Sequence, residues 1–188
     1  MKLLITIILA FIASVAKLDA RIPDWTKKAI GQAERQAENM FKEVQGTGRL
    51  PRSIQKGMVP KTDWTAGFFP GTLWYLYTCN GKQEWKDKAE KATLLMEGEQ
   101  FNAFDHDVGF KMYSSYGNAY LNTGNKTYRH IIFRSAKTLA SRYSYKTGLI
   151  MSWEPDSTRD WKFPVIIDNY YCPLNIAHFS QYAENDVL

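Results

Sequence analysis

Two aspartates, Asp107 and Asp168, stand 61 residues apart in a chain of 188, each close to the expected start of a helix. Two carboxylates brought together can exchange a proton with a bound molecule, because each raises the other's affinity for protons. His106 adjoins the first aspartate, and Trp64 and Trp153 offer flat apolar faces against which a ring can stack. Taken singly, all five have plainer uses. An aspartate just ahead of a helix is more often an N-cap, a lone histidine a structural hydrogen-bonder and a tryptophan a packing residue. The question is whether the elements between them bring them to one place.

Those elements read as helices. From Asp24 onward, Ile30, Ala33, Ala37, Met40, Phe41 and Val44 recur at three- and four-residue steps, until Gly46, Gly48 and Pro51 end the pattern. Beyond it the sequence repeats with a period near 43, pairing Tyr77 with Tyr120, Gly81 with Gly124, Trp85 with Tyr128 and Ala89 with Ile132. Each copy predicts an apolar helix (67–78; 109–122), a tight turn (Asn80-Gly81; Thr123-Gly124-Asn125) and a charged amphipathic helix (83–100; 126–143). A helical hairpin is therefore the unit. Its first helix, apolar on most faces, is expected to be buried on both sides, with Phe68-Phe69 and Trp74-Tyr75-Leu76-Tyr77 in the core, while the second keeps a wet face. That is the pattern of two concentric helical layers.

The repeat also locates the candidate residues. Counting 43 back from Asp107 reaches Trp64, and a third inner helix is expected to begin near Asp168 after a loop carrying Gly148, Trp153, Pro155 and Trp161. If successive hairpins wind about one axis, Trp64, Asp107 and Asp168 face one mouth of the ring. Only about three hairpins are begun by Leu188, and a closed ring needs about as many residues again, so the expectation is a partial or truncated ring.

Residues 1–20 read as a signal peptide: Lys2, the apolar run from Leu3 to Val15, then small residues that place cleavage after Ala16. Export to a periplasm or to the medium is expected, with no membrane span, since the run is shorter than the roughly 18 residues a span requires. The net charge of +5 is scattered among acids rather than gathered in a stripe, which argues against a nucleic-acid partner. Cys79 and Cys172 are expected to be buried free thiols rather than a pair. His106, His130 and His178 lack ligand spacing and no glycine-rich phosphate loop occurs, so neither a metal nor another cofactor is expected.

Four stretches, in order, carry a resemblance: Thr62-Asp63-Trp64-Thr65-Ala66-Gly67-Phe68-Phe69-Pro70-Gly71, His106-Asp107-Val108-Gly109-Phe110, Ser152-Trp153 and Val165-Ile166-Ile167-Asp168-Asn169. Together they resemble the N-terminal half of unsaturated glucuronyl hydrolases of glycoside hydrolase family 88. The resemblance implies an all-α fold, an (α/α)6 toroid of which residues 21–188 would form about half. It implies Asp168 as general acid and base, Asp107 as its electrostatic partner, and His106, Trp64 and Trp153 lining a sugar site. The implied substrate is an oligosaccharide left by a polysaccharide lyase, whose terminal uronic acid has a C4=C5 double bond that the enzyme hydrates. An acid serving there near neutrality needs a raised pKa, which burial and a second carboxylate supply. Two alternatives stand beside this reading: a family 105 unsaturated rhamnogalacturonyl hydrolase acting on pectin fragments, and an inactive sugar-binding remnant. One departure is that Tyr170-Tyr171-Cys172-Pro173 follows where the family carries an asparagine, at the position of Cys172.

Overall fold

Glycines at matching points of the repeat turn the chain. Gly81 and Gly124 adopt left-handed φ angles of 67° and 65°, and their N–H groups donate to Tyr77 O (2.7 Å) and Tyr120 O (2.8 Å). Each turn thereby satisfies a carbonyl that the helix end would leave open. In the computed structural model, which describes residues 23–170, these turns close two helical hairpins.

Helix α1 (Asp24–Thr47) leads into a short antiparallel ladder of β1 (Leu50–Ser53) and β2 (Gly57–Val59). The first helical hairpin is α2 (Phe68–Asn80) with α3 (Gln83–Leu94). The second is α4 (Val108–Met112), a π-helical turn at Tyr113–Gly117 and α5 (Asn118–Thr123), returning through α6 (Lys126–Ala140). A two-residue ladder of β3 (Tyr143–Ser144) and β4 (Leu149–Ile150) follows, and 3-10 turns occupy Glu99–Phe101, Ser157–Arg159 and Ile167–Tyr170. The chain divides into two compact units, Met1–Arg35 and Gln36–Leu188. In the first, Lys27 lies 3.6 Å from Asp24 across the opening turn of α1.

The core of the second unit is built from the stripes that periodicity marks. Phe41 and Val44 of α1, Trp85 and Ala89 of α3, and Ile132 and Leu139 of α6 are buried with Leu73, Trp74, Met112 and Tyr116 of the inner elements. The indole of Trp74, fully enclosed, donates to Thr93 Oγ1 at 2.9 Å. The two inner elements touch backbone to backbone. A Cβ at Gly67 would lie 2.2 Å from Lys111 O, and one at Gly71 would lie 2.8 Å from Ser114 O. This approach sets the start of α2, just after Trp64, against the start of α4, just after Asp107.

The structure departs from the sequence reading at several points. The second inner helix is not continuous: Ser115 Oγ donates to Lys111 O (2.6 Å) and Asn118 Nδ2 to Ser114 O (2.8 Å) around the π turn. Side-chain donors there occupy carbonyls that a wider turn frees. The outer helices stop early, α3 because Gly98 turns the chain at φ 96° and α6 because Tyr143 enters the β3–β4 ladder. Nor is α2 buried on both sides. Phe68, Thr72 and Tyr75 form an exposed stripe at i, i+4 and i+7, and Tyr77 is half-buried, so only Phe69, Trp74 and Leu76 of the aromatic runs join the core. Cys79 is exposed rather than buried. The signal segment, Cys172, Pro173 and His178 lie outside the described residues. Among the described residues no helix is long and apolar enough to cross a membrane.

Gly67→Ala drives a methyl into the Lys111 carbonyl and should destabilise the fold by at least about 2 kcal/mol, the scale of overpacking against a rigid neighbour. Gly46→Ala, in α1 with nothing within 4 Å of the added carbon, should be neutral or slightly stabilising. Denaturant unfolding of both variants checks the contrast.

Candidate active site

The loop ahead of α4 is fixed by its own groups. Asp105 Oδ1 accepts from Asp107 N (2.9 Å), and His106 N donates to Ser152 O (2.8 Å). Asp107 sits at the N-cap position of α4, but with helical angles (φ −67°, ψ −13°) and no capping bond from its side chain. The capping use is therefore absent, and its carboxylate is left to face the site. Oδ1 lies 3.3 Å from Nε2 of the buried His106.

Ser152 brings the rest of the site to this loop. Its carbonyl accepts from His106 N, its N–H donates to Pro164 O (2.8 Å), and its hydroxyl accepts from Ile166 N (3.0 Å). One fully enclosed serine thus joins three segments. Trp153 follows it, with its ring centroid 6.2 Å from that of His106 and 5.7 Å from Trp161, while Phe110 meets His106 from another side at 5.9 Å. Asp168 lies two residues beyond Ile166, exposed within the last 3-10 turn.

The charges of this cluster converge on Asp107. Burial pushes its carboxyl above the usual range, and the carboxylates of Asp105 and Asp168 push the same way; the cationic forms of His106 and Lys111 oppose them without prevailing. Asp107 and Asp168 therefore share one electrostatic neighbourhood. Lys111, one helical turn after Asp107, has no exposed surface, and its Nζ donates to Glu99 Oε2 (2.8 Å) and Thr62 O (3.4 Å). Glu99 accepts a second bond from Asn102 Nδ2 (2.9 Å).

Trp64 occupies the neighbouring loop. Among the described residues its ring partners are Phe68, edge-on at 5.8 Å, and the Arg52 guanidinium at 5.7 Å. Arg52 also binds Asp63 Oδ2 at 2.5 Å, and Asp63 Oδ1 accepts from the N–H and hydroxyl of Thr65 (3.0 and 2.7 Å). Partial burial alone would raise the Asp63 carboxyl, but these bonds outweigh it and hold the pKa below its usual value.

Of the five residues singled out in the sequence, His106, Asp107 and Trp153 form one cluster, Asp168 reaches Asp107 through its charge, and Trp64 stands beside the Thr62 carbonyl that Lys111 grips. Sequence reasoning missed Lys111, Glu99, Ser152 and Arg142. The guanidinium of Arg142 spans the carbonyls of Met151 (2.8 Å from Nε) and Ala103 and the Glu154 carboxylate (3.0 Å), tying the two limbs of the site. Lys111 left a signal, as a lone cation in the run Val108-Gly109-Phe110-Lys111-Met112. Ser152 stands in one of the four stretches that carry the resemblance, but without its joining role being legible there. Among the described residues no group of three or more potential ligands is arranged to hold a metal.

Helical hairpins of inner and outer helices are the building unit of (α/α) toroids, and solved structures share this architecture. One, an unsaturated glucuronyl hydrolase specific for heparin, is 37% identical and superposes with a TM-score of 0.77 over 86% of this chain and 43% of its own. Curated relatives agree. An unsaturated glucuronyl hydrolase of Formosa agariphila is 40% identical over 151 residues, 74% of this chain and 37% of its own length. An unsaturated chondroitin disaccharide hydrolase of Streptococcus pneumoniae is 30% identical over 165 residues, 82% of this chain and 40% of its own length. No protein-family model matches the chain. The chain is a relative of the unsaturated glucuronyl hydrolases, and it spans about two fifths of the length of the curated relatives it matches.

Two outcomes follow from the site's geometry. A carboxyl whose pKa is raised by folding contributes stability below its unfolded pKa, 3.8, and loses it as pH rises through the folded value. At neutral pH ionised Asp107 thus weakens the fold, and Asp107→Asn should melt at a higher temperature than the parent, with the difference vanishing in acid. A lower melting temperature at neutral pH would contradict the electrostatic account. Ser152→Ala leaves Ile166 N–H without its acceptor and should cost about 1–3 kcal/mol in denaturant unfolding, the usual range for an orphaned buried donor.

Proposed function

We propose that the protein is a glycosidase that removes a terminal 4,5-unsaturated uronic acid from oligosaccharides released by a polysaccharide lyase. The observation that carries this reading is the cluster of Asp107 and Asp168 within mutual electrostatic reach beside the His106 and Trp153 rings. The relatives' names supply the substrate class, and they favour glucuronyl-type products of glycosaminoglycans over pectin fragments.

In this scheme the proton on Asp168 goes to C4 while water, deprotonated by the same carboxylate, adds its oxygen to C5. The resulting hemiketal opens and releases the next sugar. A ring bearing a double bond is flatter than a chair, which suits stacking on Trp153, and His106 can bond a hydroxyl or the uronate. Asp107 tunes the field in which the proton moves. Residues 1–20, with their charged start and apolar run, support an exported protein meeting its substrate outside the cytoplasm.

Hydration destroys the conjugation between the C4=C5 bond and the carboxylate, so turnover is followed as loss of ultraviolet absorbance. Lyase-generated disaccharides of chondroitin, hyaluronan and heparin should lose it in the presence of the protein. Asp168→Asn should slow the loss by about 10²- to 10⁴-fold, as expected for removal of a general acid, with substrate binding largely kept. Undiminished turnover in that variant would remove Asp168 from the role.

A further inference from the structure

Helix α6 carries Lys126, Arg129, His130, Arg134 and Lys137 and not one acidic residue. His130, Arg134 and Lys137 recur at i, i+4 and i+7 and so share one face, a stripe roughly 10 Å long at 1.5 Å per residue. Like charges at such spacings weaken a helix. Among the described residues neither Arg134 nor Lys137 meets a carboxylate at ion-pair distance; their partners are rings. The Arg134 guanidinium lies 5.7 Å from the centroid of Phe101, and Lys137 Nζ lies 4.7 Å from that of Phe133. Both rings remain in contact with solvent, 63% and 39% exposed. Together with His130 and Thr127 they line a groove of about 330 Å³ between α6 and the 3-10 turn Glu99–Phe101. Thr138 Oγ1 donates to Gln100 O at 2.6 Å and holds that turn against the helix, so the groove is formed before anything enters it.

We propose that this groove is a second, non-catalytic carbohydrate site that holds a saturated segment of an anionic polysaccharide. Arg134, Lys137 and His130 meet its carboxylates or sulfates, and Phe101 and Phe133 take the apolar faces of its rings. Exposed cations already held on aromatic faces can meet an anion with little reorganisation. The groove shares no residue with the cluster of His106, Asp107, Trp153 and Asp168. The choice of a glycan over other polyanions rests on the proposed function, because such a polymer is the source of the unsaturated ends. A chain held by the groove keeps newly cut ends near the protein.

The test uses the whole chain and saturated heparin and chondroitin oligosaccharides made by chemical cleavage, which have no C4=C5 bond. Calorimetric titration should show binding that weakens as salt rises. The double variant Arg134→Glu/Lys137→Glu should lose about tenfold or more in affinity, two exposed charge contacts being reversed. Arg134→Gln/Lys137→Gln, checked by circular dichroism, should show a smaller loss in a fold that is certainly intact, and Phe101→Ala should weaken binding while leaving its salt dependence. Asp168→Asn should bind as the parent does. Equal binding of a neutral glucan, equal competition by single-stranded RNA, or unchanged affinity in both double variants would overturn the proposal. Since the probe cannot be hydrated, a protein that binds it but hydrates no unsaturated disaccharide sinks the catalytic reading alone. One that hydrates but binds none of the probe sinks this one alone.

Discussion

A lysine with no exposed surface holds the site's scaffold together. The Nζ of Lys111 reaches Glu99 at the end of the first hairpin and the Thr62 carbonyl ahead of α2, while the backbone of the same residue packs on Gly67. Three segments far apart in sequence are thus fastened at one point, one helical turn from Asp107. A buried ion pair adds little net stability over an apolar replacement, but losing one partner strands the other's charge. Such a pair enforces arrangement more than it adds stability. Here the arrangement sets two inner helices side by side at the ends from which Trp64 and Asp107 project.

The functional side chains stand on loops, yet these loops are held as firmly as the helices. Asp105 fixes Asp107, Ser152 joins the His106 loop to the strand-like segments at Pro164 and Ile166, and Arg142 spans Met151 and Ala103. Bonds from supporting side chains to the backbone thus carry the positioning, and the carboxylate of Asp107 is spent neither on a cap nor on the backbone. The carboxylates of Asp105 and Asp168 both bear on that of Asp107, an arrangement no stability criterion would select. Sites that do proton chemistry commonly hold charge in this uncomfortable form.

Much of this was legible from residue spacing. The 43-residue repeat placed Gly81 and Gly124 at equivalent helix ends, and both take the same left-handed turn with the same tyrosine carbonyl partner. It also set Trp64 and Asp107 at matching points, just ahead of the two inner helices. Periodicity was less informative where one side chain decides the outcome. Phe68 and Tyr75 look like core residues by type and lie on an exposed stripe, because hydrophobicity does not say which face a neighbour covers. Lys111 looks like a surface residue by type and is buried, because its partner Glu99 is twelve residues away across a turn that no local pattern predicts. The partners of Ser152 lie in two separate segments, around His106 and at Pro164–Ile166, and only tertiary structure reveals them.

The π turn at Tyr113–Gly117 has a geometric consequence of its own. A turn that wraps one additional residue advances everything after it by about 100° around the axis. The inner helix of the second hairpin therefore behaves as two cogs on one shaft, cut out of phase. The leading cog is keyed to α2 through Lys111, and the trailing one presents Tyr120 to the turn at Gly124. The π turn works as a vernier, setting the angle of the Asp107 end of the helix apart from that of its turning end.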